Sequence, residues 1–333
     1  MLNGKLDLLQ AEATADLIDA GSPAQARRAL HQLDRGLSTR LGELRTELLE
    51  LEALIAYEID FPDEDEGPVA PERVVRAWQV ARDRIARLLD TAPEGERLRE
   101  GALLVIAGRP NAGKSSLFNA LLGTERAIVT EIPGTTRDAV EAQAVLEGFP
   151  FRLVDTAGLR ESDDRVERLG IEVSRRYLAA ADLVLFCRDA GCEMRDTEAQ
   201  EFLASCRAPV VEVMTKIDLT DRLTGRPPDR PNVSVVTGEG LADLRRKLAE
   251  VAFGRLLALG DMEPVVTRAR HRSALEHALA EVEGFRVARE SGVDAAAAAT
   301  HLRAAVGALD DLIGVVTPDD VLDRVFASFC VGK

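Results

Sequence analysis

The sequence predicts an α/β domain with a mainly parallel sheet, inserted into an all-α helical domain formed by both chain ends. Three observations carry this. Short apolar runs alternate with helical patterns only between about residues 100 and 260. The stretch Leu103 to Ser116 reads as strand, glycine-bounded loop and helix. On both sides of that region, apolar residues recur every three or four positions, the period of a buried helix face. The expected divisions are 1–98 for the first helical part, 99–260 for the α/β domain and 261–333 for the second helical part.

In chain order, Leu6, Leu9, Ala13 and Leu17 predict a helix over 5–19 that stops at Gly21. Ser22-Pro23-Ala24-Gln25 has the form of a capping box with proline in the first turn. Leu30, Leu33, Leu37, Leu41, Leu44, Leu48, Leu51 and Ile55 then predict one long helix with a seam for other helices. Ile59-Asp60-Phe61-Pro62 and the acidic run Asp63 to Glu66 interrupt it as a solvated loop, because proline and like charge oppose helix. Helical spacing resumes at Val74, Val75, Trp78, Ala81, Ile85, Leu88 and Leu89, and Ala92-Pro93-Glu94-Gly95 marks a boundary. Candidate strands are Leu103–Ala107, Ala139–Leu146, Phe151–Asp155, Leu183–Cys187, Val210–Thr215 and Val233–Val236. Beyond Gly260 the chain is helical again, with an alanine-rich stretch from Ala295 to Ala299. Thr317-Pro318-Asp319-Asp320 caps a last helix with Val321, Leu322, Val325, Phe326 and Phe329 on one face.

A net charge of -15 argues against a broad basic surface for nucleic acid, so RNA contact has to be local or supplied by a partner. The four cysteines, Cys187, Cys192, Cys206 and Cys330, form no CxxC pair, and no stretch has the form of a signal peptide or membrane span. A cytoplasmic location without membrane partner is expected.

The pattern Gly108-x-x-x-x-Gly113-Lys114-Ser115 carries the chemistry. Its glycines let the backbone turn tightly and aim N–H groups at a phosphate chain. At a glycine frequency of about 7%, such a pattern arises by chance in roughly one chain of this length in a hundred. Nucleotide contacts are expected from Asn111, Ala112, Gly113, Lys114, Ser115 and Ser116, with Lys114 reaching the outer phosphates and Ser115 ligating Mg2+. Gly134-Thr135-Thr136-Arg137-Asp138 adds Thr135 and Thr136, the latter as second Mg2+ ligand and, with Lys114, a catalytic residue. Asp155-Thr156-Ala157-Gly158 follows a strand, so that Asp155 holds Mg2+ indirectly and the Gly158 N–H meets the terminal phosphate.

Thr215-Lys216-Ile217-Asp218 occupies the place of a guanine-reading Asn-Lys-x-Asp motif. The Asp218 carboxylate can accept two hydrogen bonds from guanine, a pattern adenine lacks, while the Lys216 stem covers the base. GTP or GDP is therefore the expected ligand, in an α/β P-loop GTPase domain. Thr215 departs from asparagine, and Ser234 stands near the base where Ser-Ala is common. Leu159 replaces the water-positioning glutamine of Ras-like proteins; the charged stretch Arg160 to Glu167 offers several substitutes, and the residues alone do not choose among them.

The chain closely resembles the MnmE (TrmE) family of tRNA modification GTPases. The likeness rests on Leu2-Asn3-Gly4-Lys5-Leu6-Asp7-Leu8, Gln10-Ala11-Glu12-Ala13, Ile59-Asp60-Phe61-Pro62, Gly108 to Ser115 and the terminal Phe329-Cys330-Val331-Gly332-Lys333. The resemblance implies GTP hydrolysis in C5 modification of the tRNA wobble uridine (aminomethyl or carboxymethylaminomethyl), together with an FAD-containing MnmG-type flavoprotein. It also implies K+ stimulation, with Asn111 and backbone oxygens near Thr130 and Ile132 as ligands, and pairing of two G domains. Glu167 matches the family's catalytic glutamate, and Cys330 the family's terminal cysteine. The chain begins inside the first of these motifs, so the family's folate site is expected to be absent or incomplete here. Two other readings remain: a ribosome-assembly-type regulatory GTPase switch, against which the lack of a second GTPase domain and of a GxxG module counts, and a truncated nucleotide-binding scaffold.

Overall fold

A computed structural model describes residues 7–60, 70–123, 141–155, 176–191, 197–219, 230–260 and 263–314. Its chain divides into two compact units: Met1–Ile18, Arg28–Glu96 and Asp261–Lys333 form one, and Asp19–Arg27 with Arg97–Gly260 form the other. The short piece Asp19–Arg27, placed by sequence with the helical part, thus groups with the second unit.

The first unit is built on four long helices, α3 (Gly36–Asp60), α4 (Pro71–Leu89), α9 (Ala269–Glu290) and α10 (Ala295–Ile313). Leu37, Leu41, Leu44, Leu48, Leu51 and Ile55 on α3 alternate steps of four and three, and all are at most 2% exposed. Val74, Trp78, Ala81, Ile85 and Leu88 repeat those steps on α4, as do His271, Leu275, Ala278, Val282 and Phe285 on α9. An apolar seam of this period makes helices pack nearly antiparallel or parallel around one core, as in a four-helix bundle. The pairs α9–α10, α10–α3, α3–α4 and α4–α9 are all in contact, which closes the ring. Trp78 adds specificity, its Nε1–H donating to the Val282 carbonyl at 2.9 Å within the core. Asp294 caps α10 by accepting from the Ala296 and Ala297 amides.

Helix α1 (Leu8–Ile18) buries Leu9, Gln10 and Ala13. The expected long helix from Leu30 to Ile55 is in fact two, α2 (Pro23–Leu33) and α3, separated at Arg35, whose φ of 66° is left-handed. The leucine spacing concealed this break, because Leu33 and Leu37 keep the period across it while Leu30 is 52% exposed. The capping box is formed, Ser22 Oγ accepting the Gln25 amide at 3.3 Å and Gln25 Oε1 the Gly21 amide at 3.0 Å. Ala92-Pro93-Glu94-Gly95 makes the first turn of α5 (Ala92–Glu100). The expected last helix beyond Thr317 lies outside the described residues.

The second unit holds a five-stranded sheet of β1 (Ala102–Gly108), β2 (Glu141–Leu146), β3 (Phe149–Asp155), β4 (Leu183–Asp189) and β5 (Val210–Thr215), in the order β2-β3-β1-β4-β5. β1, β3, β4 and β5 run parallel, and β2 is antiparallel to β3 through a two-residue turn with positive φ at Glu147 and Gly148. Central β1 reads Ala-Leu-Leu-Val-Ile-Ala-Gly and is buried at its first six positions, as a parallel strand covered on both faces must be. Helices α6 (Lys114–Leu122), α7 (Thr197–Ser205) and α8 (Leu241–Leu259) belong to the same unit, and Phe149 and Phe151 pack on Phe253 at a kink in α8. The expected strand Val233–Val236 does not form. Only Asn232 bridges β5, opposite Met214, and the chain then turns, with Ser234 Oγ accepting the Thr237 amide. A Ser-Val-Val-Thr run followed by Gly238 favours that side-chain-closed turn over a ladder.

Candidate functional site

Parallel strands point the same way, so the carboxyl ends of β1, β3, β4 and β5 deliver Gly108, Asp155, Asp189 and Thr215 to one edge of the sheet. Ligands of open α/β sheets bind at such an edge. The register sets Ile106 beside Asp155, Gly108 beside Cys187 and Asp189 beside Thr215.

The phosphate loop leaves β1 at Gly108, whose φ of 145° suits glycine and where a Cβ would stand 2.4 Å from the Cys187 carbonyl oxygen. Asn111 is exposed with φ 61°, a left-handed conformation that asparagine tolerates better than most residues. Gly113, at φ 78°, is the N-cap of α6, so this helix presents its amide end to the loop. Lys114 is buried, and its Nζ donates to the carbonyls of Gly108 at 3.0 Å and Arg109 at 2.8 Å. That holds an ammonium over the concave side of the loop. Ala112 is buried, whereas Ser115 and Ser116 are exposed.

The Ser115 hydroxyl donates to Asp155 Oδ2 at 2.6 Å, joining the loop to the end of β3. A hydroxyl beside a carboxylate next to a phosphate cradle is the hard-oxygen donor set that Mg2+ takes with nucleotide phosphates. The residues present fit that ion. Ser115 would hold it directly and Asp155 through the Mg2+ hydration shell, where the ion would neutralise phosphate charge.

Thr215 is 2% exposed, and its Oγ1 lies 2.8 Å from the Ala112 carbonyl and 3.0 Å from that of Arg188. Thus the departure from asparagine still ties the β5 end to the phosphate loop. Lys216 follows with φ 56°, and its Nζ lies 2.8 Å from Asp189 Oδ2. Hydrogen bonding from Lys216 holds the Asp189 carboxyl below the usual carboxylate range, with the Gly191 amide assisting against partial burial. Asp218 is exposed in a 3-10 turn, Ile217–Leu219, and Ser234 is fully buried on the neighbouring turn. The structure therefore brings together Asn111, Ala112, Gly113, Lys114, Ser115, Ser116, Asp155, Thr215, Lys216, Asp218 and Ser234 around one sheet edge. Thr130, Ile132, Thr135, Thr136, Gly158 and Glu167 lie outside the described residues.

Sequence reasoning missed Asp189, although its signal was present: an acidic residue two positions past the apolar run Leu183 to Cys187. Cys187, beneath the loop, is a thiol that burial pushes up to about 12, so it is no nucleophile near neutrality.

A mainly parallel sheet with a phosphate loop on its central strand, a Ser115–Asp155 pair beside that loop and a Thr-Lys-x-Asp segment at the end of β5 is the arrangement of a phosphate-loop GTPase. A family model described as the MnmE helical domain matches residues 8–330. The tRNA modification GTPase MnmE of Moorella thermoacetica is 41% identical over 344 aligned positions, spanning all of this chain and 74% of that protein. Its namesake in Aquifex aeolicus is 39% identical over 338, with the same shares. Among solved structures, the G domain of the T. maritima FeoB iron transporter is 32% identical, covering 45% of this chain and 98% of that one at a TM-score of 0.34. The chain belongs to the MnmE family, and it is a GTPase.

Proposed function

We propose that this chain hydrolyses GTP to drive C5 modification of the wobble uridine in tRNA, acting with an FAD-containing flavoprotein of the MnmG type. The observation that carries the reading is the approach of Ser115 Oγ to Asp155 Oδ2 beside the Lys114-bearing loop, in a chain alignable along its whole length with tRNA modification GTPases. In this reading Lys114 takes up phosphate charge, and Ser115 and Thr136, with Asp155 behind, would hold an Mg2+ that would supply further positive charge there. Asn111, with backbone oxygens near Thr130 and Ile132, would hold K+, which would supply positive charge where other GTPases use an arginine. Glu167 orients water indirectly, Thr135 and Gly158 contact phosphate, and two G domains pair during turnover.

Residues 1–98, apart from the Asp19–Arg27 piece, and 261–333 then form the helical domain and 99–260 the G domain, in a cytoplasmic protein. The acidic chain suits tRNA contact made through the complex rather than through a basic face of its own. No helix among the described residues is long and apolar enough to cross a membrane. The test is association with the flavoprotein in the presence of GTP analogue or GDP. Nucleotide-dependent complex formation supports the coupling, and identical binding in both states refutes it.

A further inference from the structure

The Lys216–Asp189 pair has a geometry that ion pairing alone does not explain, and the inference from it rests on the reading of Lys216 and Asp218 as the guanine site. Lys216 adopts φ 56°, a backbone conformation that costs free energy for a non-glycine residue. Its side chain runs beside the phosphate loop, Cε standing 4.0 Å from where a Cβ on Gly113 would be. The ammonium then ends 2.8 Å from Asp189 Oδ2. Asp189 is itself fixed, because its Oδ1 accepts the Gly191 amide at 2.9 Å and its backbone closes β4 opposite Thr215. Both side chains are about one-third exposed, at 33% and 30%, so the pair lies at the surface where a free lysine would sample many rotamers.

A lysine whose two ends are pinned presents its methylene stem as a fixed flat strip. The geometry points to Asp189 as a positioning residue for guanine-nucleotide capture: it anchors the Lys216 ammonium so that the stem is already laid out for the base. Asp189 touches neither base nor phosphate in this assignment; it acts through Lys216.

The test is dissociation of fluorescent GDP from the full chain carrying Asp189→Ala, Lys216→Ala or both, with Asp189→Asn as a second variant that keeps the shape and an acceptor for Gly191. Release is expected to be about tenfold faster in Asp189→Ala and in Lys216→Ala, and smaller in effect for Asp189→Asn. In the Lys216→Ala background, Asp189→Ala should add less than about twofold, since the residue it serves is gone. A merely structural Asp189 would keep its full effect in both backgrounds, and that additivity overturns the proposal, as does wild-type release from Asp189→Ala. Asp218→Asn is measured alongside for preference between GDP and xanthosine diphosphate. No shift toward xanthosine removes the base-site reading and the proposal with it. A clear shift combined with unchanged release from Asp189→Ala removes the proposal alone.

Discussion

The Thr215 hydroxyl stands 2.8 Å from the Ala112 carbonyl oxygen, bridging the end of β5 and the phosphate loop across 103 positions of sequence. Replacing it by valine keeps the volume but leaves the buried carbonyl without this donor. The loss of one such bond is worth about 1 kcal/mol, and more where the acceptor stays buried. GDP binding by Thr215→Val is therefore expected to weaken about five- to tenfold in calorimetric titration; unchanged affinity would mean that the tie does not organise the loop.

Ser115→Ala and Asp155→Asn each remove half of the hydroxyl–carboxylate pair. Both variants should bind GDP yet lose most of the slowing of GDP release that Mg2+ confers on the unaltered chain. GTP turnover should fall about a hundredfold in either, the scale for one group that stabilises developing charge. Stopped-flow release with and without Mg2+ checks the first expectation, and a full Mg2+ effect in Ser115→Ala would displace the metal from this position.

Acid sensitivity is expected from the helical unit. Glu12 on α1 lies 2.7 Å from His271 Nε2 and 3.1 Å from Arg270 on α9. Burial pushes its carboxyl up, but hydrogen bonds from His271 and Arg270 and their charge prevail and bring it from the ordinary 4.5 to about 2. A lowered folded value contributes stability that is complete above the unfolded pKa and is lost as pH falls toward the folded one, so the window runs from about 4.5 down to about 2. Allowing for solvent screening, the contribution is on the order of 2 kcal/mol. Denaturant midpoints of Glu12→Gln should change less across that window than those of the parent; parallel curves would refute the pairing.

The single tryptophan, Trp78, sits in the four-helix core and makes emission a reporter of that unit. Leu48, fully buried on α3, is expected to cost about 2–5 kcal/mol when cut to alanine. In urea, Leu48→Ala should lower the tryptophan-monitored midpoint while GDP affinity stays within about twofold. A matching loss of GDP affinity would show that the bundle and the nucleotide site do not fold as separable units.

What the sequence disclosed follows from how local each feature is. The phosphate loop, Asp155 and Lys216-Ile217-Asp218 were legible because every fixed position answers a requirement of backbone or ligand chemistry within a few residues. The seams of α3 and α4 were legible because burial imposes its period directly. The break at Arg35 was not, since a left-handed residue between Leu33 and Leu37 leaves the apolar period intact. Val233–Val236 looked like a strand by composition, yet strand formation needs an extended ladder partner, and β5 bridges only Asn232. Asp189 escaped notice because its role depends on the parallel register that sets it opposite Thr215, a relationship made by tertiary structure.

The most direct test is nucleotide turnover by the full chain in K+ and in Na+ at equal ionic strength, with GTP and ATP and with Glu167→Ala as companion. GTP hydrolysis should be at least about tenfold faster in K+, a difference of about 1.4 kcal/mol in barrier, with ATP scarcely hydrolysed and Glu167→Ala binding GDP but turning over little. Equal GTP rates in the two salts, or ATP turned over as fast as GTP, would contradict the proposed function.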